Sequence, residues 1–550
     1  MSQNRKLSME SLEDRQVMTA GLNAMLSTFE LNMQTLSAYQ SFLNPVQLND
    51  GILEIAGSSN RDYITVKNDD GVIRVDRLAN AGSMVIVDLD GNLRDGASYT
   101  FDPAEVDEIL IDAWGGNDKV INYTSIPSTI NGGSGNDYLR GGSGADIING
   151  EAGNDIILGK NGDDRLGGGA NNDRIYGSSG DDIIEGGSGR DTVYAGSGDD
   201  IVYGESGNDR LYGNNGKDQL FAGTGSDRLY GGNNKDVLIS LDNSGADRMT
   251  GNSGNDVFWG DSNDIVTDSN SHETKYGKHL IASFDNDADK TLNGDTINPN
   301  PQHFMNDAQV LLGKEEVPSG WEDFSSYPLF SEEGPQRTDI DQNGKGDCWL
   351  MAGIGTIAHD NPERIQDSVV DFGDGTYGVN LNDEYFRVDG QLAIDSNGNP
   401  LYAGLGENDS LWSAVVEKAW AEYRSNVIWG LDAGWTTSVW KAFDGTDTDK
   451  EWFGWFSDGD DVLNHINDAL NDGKVATILT EMTGTLEDSD QLVNNHYYMV
   501  DSVDMDARTV NLVNPHGKGS SNYEITVCAD DLYQDISYAL GFGGVQTGKI

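Results

Sequence analysis

Three things are scarce in this chain. It has two cysteines in 550 residues, Cys348 and Cys528. A disulfide framework is excluded, and the single bridge that two thiols allow in principle would consume one with a chemical use of its own. Basic residues are few, 35 Lys and Arg against 92 Asp and Glu, so the net charge is −57. That field repels nucleic acid and anionic membrane, argues against both as partners, and attracts cations. No apolar run is long enough to span a bilayer. At this length one core does not suffice, and three or more units are expected.

Glycine and aspartate fill the place of what is missing. From about residue 132 a nine-residue unit recurs: "GGSGNDYLR", "GGSGADIIN", "GEAGNDIIL". Its aspartates are Asp137, Asp146, Asp155, Asp164, Asp173, Asp182, Asp191, Asp200, Asp209, Asp218, Asp227 and Asp236, followed after a jump of eleven by Asp247 and Asp256. An aliphatic residue stands two after each in-register Asp, from Leu139 to Leu238. Two such units make one turn of a parallel β-roll, each supplying a turn and a short strand. The aliphatic side chains stack inward on their copies. The glycines allow turn dihedrals closed to other residues. Carboxylates and turn carbonyls supply hard oxygen ligands suited to Ca²⁺. Stacked carboxylates repel without a metal, so folding and Ca²⁺ binding are expected to be coupled. The segment resembles the RTX, or hemolysin-type, calcium-binding repeats. Asn171 and Asn234 replace a turn glycine, and Asn tolerates the left-handed backbone needed there.

The flanks differ in character. Residues 1–45 hold a basic tip, then Glu10, Glu13 and Asp14, then apolar residues at near-helical spacing from Leu22 to Met33. "MESLEDRQVMTA" resembles leader segments of some bacterial surface and secreted proteins, while the spacing equally suits a soluble amphipathic helix. Residues 46–124 alternate apolar and polar between Asn-Asp and Asp-Gly turns, which predicts a small β-rich module. The roll is assigned to 125–262 and a polar linker to 263–327. Residues 328–550 turn globular, with most of the Trp.

The stretch "DQNGKGDCWLMAGIGTIAH" places Cys348 at a helix start, with Asp347 as its cap and Asn361-Pro362 beyond its end. A helix N-terminus favours thiolate, although a buried structural Cys fits the same helix. Gln342, six residues earlier, can aim an amide at an oxyanion beside the sulfur. His496 in "NNHYYMVDSVDMD" lies in a strand-like stretch and can act as base. Asn514 in "TVNLVNPHGKG" can hold the imidazole tautomer. The remaining histidines, 272, 279, 303, 359 and 465, read as linker or helix residues, and Cys528 as a strand residue.

"QNGKGDCWLMA", "SLWSAVVEKAWAEY", "NHYYMVDSVD" and "NLVNPHG" resemble, in that order along the chain, four motifs of the calpain-type cysteine peptidases. The resemblance implies an α+β papain-like domain of two lobes. It implies Cys348 as nucleophile, His496 as general base and then acid, Asn514 as orienter and Gln342 as oxyanion donor, with a protein or peptide substrate. It departs at His516, where the family usually has a Trp that shields the Asn–His hydrogen bond. The expected protein is multidomain: an N-terminal helix, a small β module, a calcium roll and a peptidase domain, exported or at a bacterial-type cell surface. Two rival readings are a calcium-dependent adhesion protein with an inactive peptidase-like domain, and an acyl-transferring relative of transglutaminases.

Overall fold

A computed structural model describes residues 46–69, 71–79, 86–87, 93–94, 97–242, 244–284, 319–342, 348–400, 403–405, 409–423, 436–444, 458–480, 492, 496–516, 523–537 and 544–548. The expected N-terminal helix within 1–45, most of the linker and the Asp347 cap lie outside them. Two compact units emerge, meeting in sequence near residues 274–281. Among the described residues no helix is long and apolar enough to cross a membrane.

The first unit is a parallel β-solenoid of two long sheets. Strand Ile147–Ala152 pairs with Arg165–Ala170, and that strand with Ile183–Gly189, so Ile148, Leu166 and Ile184 stand in register. One coil is therefore two nonapeptides, as the spacing predicts. The aliphatic ladder from Leu139 to Leu238 has no solvent exposure. Each such side chain contributes about 1.5–3 kcal/mol by leaving water. The jump of eleven is absorbed in the turn between Ser240 and Asp247, since Leu229 still pairs with Met249. Asn171 and Asn234 do adopt left-handed backbone, at φ 84° and 81°.

Both sheets reach past 125–262. Ile52–Ser58 pairs with Glu108–Trp114, and Asp62–Asp69 with Lys119–Asn122, each in parallel. At the other end one sheet runs on to Lys278–Ile281 and the other to Ile265–Val266.

The aspartates organise this unit. Oδ1 of each accepts the main-chain N–H of the aspartate one coil earlier: Asp146 N to Asp164 Oδ1 is 2.7 Å, Asp164 N to Asp182 Oδ1 2.8 Å. One such ladder runs from Asp62 through Asp118 to Asp264. The other starts at Ser128 and ends on Glu273. Asp62, Asp118, Asp264 and Glu273 fall outside the perfect nine-residue register, which is why the repeat alone does not find them.

The second oxygen is treated differently. Twelve of the fourteen repeat aspartates leave a buried Oδ2 with no hydrogen-bond partner. The exceptions are Asp146, whose Oδ2 takes the Gly142 N–H at 2.7 Å, and Asp247, which takes the Ser240 hydroxyl. A methyl group built on Gly150 would meet Asp155 Oδ2 at 2.5 Å and Gly168 O at 2.6 Å; one on Gly132 would meet Asp137 Oδ2 at 2.6 Å and Gly150 O at 2.9 Å. Glycine thus keeps open a small cradle lined by a carboxylate and a carbonyl oxygen. Among the described residues no three His, Cys, Asp or Glu side chains gather at one point, so carbonyls must complete any shell. Hard oxygens of this kind fit Ca²⁺.

Burial pushes these carboxyls up, Asp173 to about 6, Asp155 to about 7, Asp164 and Asp200 to about 8. Their ordinary value is 3.8. Without metal the folded roll therefore holds more protons than the unfolded chain between those values, and it loses stability as pH rises through them.

The second unit has six helices among the described residues: α1 (Cys348–Asp360), α2 (Pro362–Ser368), α3 (Trp412–Tyr423), α4 (Thr436–Asp444), α5 (Gly459–Asn471) and α6 (Ala529–Ser537). A five-stranded antiparallel sheet runs in the order Glu524–Cys528, Thr509–Val513, Tyr497–Asp504, Val475–Leu479, Gly544–Gly548. Alternation along its central strand sends Tyr497 and Met499 toward α1, and Tyr498 and Val500 into a second core with α5 and α6. α1 is buried from Cys348 to Ala358, so it is a core helix rather than an amphipathic one.

Two glycines let α1 sit that deep. A methyl on Gly353 would lie 2.8 Å from Val439 of α4, and one on Gly355 would collide with Met499 of the central strand. Val439 is unexposed and β-branched, so it has nowhere to turn.

Two outcomes are expected. Chelation should abolish the β signal of the roll in circular dichroism, more completely at pH 8 than at pH 5; an unchanged spectrum at pH 8 would refute the coupling. Gly353→Ala should lower stability by about 1–3 kcal/mol in denaturant titration, because overpacking exceeds the gain in helix propensity.

Candidate active site

The central strand Tyr497–Asp504 and the helix α1 that packs on it bring the ends of two distant segments together. Cys348 is the first residue of α1, 9% exposed and not in a disulfide. Burial raises the pKa of the Tyr497 phenol, the Gln546 hydrogen bond lowers it, and charge on the nearby Cys348 thiol adds a smaller upward push. His496 immediately precedes the strand.

The His496 main chain is clamped by Thr480. His496 N–H donates to Thr480 Oγ1 at 3.0 Å, and His496 O accepts from Thr480 N at 3.0 Å. Its ring meets Asn514 across the neighbouring strand, with His496 Nε2 and Asn514 Oδ1 2.9 Å apart. The main-chain N–H of His516 also points at Asn514 Oδ1, at 3.1 Å. An N–H cannot face an amide NH₂, so this contact assigns the oxygen. The oxygen in turn requires the hydrogen on His496 Nε2, which leaves Nδ1 as the basic atom.

Burial, opposed by the Asn514 bond and reinforced by charge on His516, holds His496 far below its ordinary 6.5, at about 4. The ring is therefore neutral at pH 7 and able to accept a proton.

Gln342 is 4% exposed and lies in a bridge to Ala403. Its N–H donates to Pro515 O at 2.8 Å, and its own carbonyl is 2.7 Å from His516 Nδ1. Gln342 is thus tied directly to the Asn514 turn. His516 stacks on His496, with ring centroids 4.9 Å apart and planes 7° from parallel. The position expected to carry an aromatic cover is covered.

The four candidates therefore share one neighbourhood: Asn514 holds His496, Gln342 joins their turn, and α1 carries Cys348 onto the strand that His496 opens. Sequence reasoning missed the second layer. Gln546 Nε2 donates to Tyr497 OH at 2.7 Å, and Thr436 Oγ1 to Gln546 Oε1 at 2.7 Å. Thr480 was also missed. These residues lie on separate elements with no motif of their own, and only the tyrosine after His496 carried a local hint. Cys528 lies elsewhere, with its thiol on Asp531.

The calpain family cysteine protease profile matches residues 314–525. The RTX calcium-binding nonapeptide repeat profile matches several segments between 131 and 267. The chain is similar to the calpain-1 catalytic subunit of Bos taurus, 28% identical over 211 residues, covering 35% of this chain and 29% of that protein. It is similar to the calpain-2 catalytic subunit of Gallus gallus, 29% identical over 189 residues, covering 32% and 26%. The match thus spans less than a third of these relatives' length. The repeats bind Ca²⁺, and their unpaired carboxylate oxygens fit it. The chain therefore joins RTX calcium-binding repeats to a calpain-family cysteine protease domain.

Proposed function

We propose that the protein is a calcium-binding, calpain-like cysteine endopeptidase acting on proteins or peptides. The observation that carries this reading is the His496–Asn514 bond, covered by His516, at the start of the strand on which the Cys348 helix packs. That arrangement supports an activatable thiol more than an inert one.

In the proposed reaction His496 Nδ1 takes the proton of Cys348, and the thiolate attacks the peptide carbonyl carbon. The oxygen that gains the negative charge is stabilised by the Gln342 side-chain amide and by the positive end of α1. The C–N bond breaks as His496 returns its proton to the leaving amine, giving a thioester on Cys348. Water then attacks that thioester, with its proton passing through His496 to the departing thiol. Asn514 keeps the ring in one tautomer throughout. Ca²⁺ bound in the roll supplies positive charge to buried carboxylates and so folds that unit.

Repeats of this kind are typical of secreted bacterial proteins, and export to a calcium-rich environment suits a roll with so many cradles. The covered His496–Asn514 pair weakens the adhesion-only reading.

The test is hydrolysis of a mixed peptide library by calcium-replete, reduced protein. Cys348→Ala is expected to abolish cleavage and labelling by a thiol-directed epoxide; wild type that neither cleaves nor labels at Cys348 would overturn the proposal. Gln342→Ala is expected to lower kcat by about 10²–10³-fold, the usual loss for one oxyanion donor.

A further inference from the structure

We propose that His516 is a positioning residue that both holds the His496–Asn514 pair and, when it gains a proton, shuts the site. This deepens the peptidase reading and rests on it.

His516 has three anchors. Its main-chain N–H assigns the Asn514 oxygen at 3.1 Å. Its Nδ1 meets Gln342 O at 2.7 Å. Its ring lies flat on His496, 4.9 Å centre to centre. It therefore links three of the four candidate residues, and the adjoining Pro515 O to Gln342 N bond reinforces the link. Loss of the ring would uncover the His496–Asn514 bond and remove the Nδ1 contact to the Gln342 carbonyl together.

A carbonyl oxygen only accepts, so Nδ1 of His516 carries a hydrogen whatever its charge. The atom that gains or loses the second proton is Nε2. Protonation there leaves every anchor intact. The charge arrives without movement, stacked on the ring that must itself become an imidazolium when it takes the thiol proton. Two like charges at that separation repel strongly when water is excluded, and burial already disfavours a charged His496. An indole ring would give the same cover with no charge to gain, whereas an imidazole can take up a second proton.

Among the described residues, two titratable groups interact with His516. One is His496 across the stack. The other is Asp341, whose carboxyl is raised by burial and lowered by charge on His516. An ionised Asp341 offsets part of the His516 charge, while the ring stacked directly on His516 is that of His496, which bears the repulsion. The gate therefore closes as pH falls and opens as it rises.

The experiment uses the full, calcium-loaded chain. Imidazole nitrogens are followed by ¹⁵N NMR through a pH titration in Cys348→Ala, with and without His516→Trp. Removing the His516 charge is expected to let His496 take its proton about one pH unit higher, a tenfold change in its proton affinity. An unchanged His496 midpoint overturns the gate. In parallel, kcat/KM against pH on the peptide library is expected to extend about one unit further into acid for His516→Trp than for wild type, while His516→Ala loses about tenfold or more at the plateau. An alanine variant as active as wild type overturns the positioning role. If wild type cleaves nothing at any pH, the peptidase reading fails alone, and the NMR midpoint still decides whether His516 controls the charge on His496.

Discussion

A buried oxygen costs several kcal/mol unless a donor or a cation meets it. In the repeat unit each aspartate has two oxygens and one main-chain donor to share. Oδ1 takes the N–H from the coil before, a contact internal to the chain that repeats coil after coil until Asp264 and Glu273 end the ladders. Oδ2 has no such donor at Asp155, Asp164 or Asp200, so it needs a cation or, where pH is low enough, a proton. The glycines matter because the cradle is as wide as a methyl group; any side chain at Gly150 would fill the place where the cation belongs. In a long acidic chain with no disulfide framework, calcium bound by the repeats is positioned to meet these oxygens, which gives the negative charge a use beyond solubility.

The same demand shapes the second unit on a smaller scale. Asn514 Oδ1 accepts from His516 N–H and from His496 Nε2, so one amide oxygen decides the tautomer of the ring beside it. Thr480 takes both main-chain groups of His496, leaving the imidazole as the only part of that residue with freedom to act. Dry surroundings keep the ring neutral, as a base must be before it works. Next along the chain, the Tyr497 hydroxyl accepts from Gln546, whose Oε1 accepts from Thr436.

Most of the roll was legible in the sequence because its contacts are short-range and identical. Ile148, Leu166 and Ile184 each see a copy of themselves one coil away, so spacing alone predicts the neighbour. Its ends were not legible. Asp62 and Asp264 join the ladders from outside the perfect repeat, and Asp146 and Asp247 look like their neighbours in sequence yet spend Oδ2 on protein donors. In the peptidase unit the four candidate residues could be named from local motifs. Their support could not, since Thr480, Thr436 and Gln546 are ordinary residues whose roles arise from where three separate elements cross.

Two things were determined by the sequence alone: the pitch of the roll and the identities of Cys348, His496, Asn514 and Gln342. Both depend on patterns within a few residues or on exact repeats, which a linear text preserves. Tertiary structure decided which carboxylate oxygens remain for a cation, which helix face is buried, and what His516 does. In sequence that histidine marks a departure from a family pattern. In space it lies flat on the catalytic candidate and joins it to Gln342, 174 residues away in the chain. No spacing rule reaches that far, because the contact is made by the packing of α1 on its strand and not by the residues between.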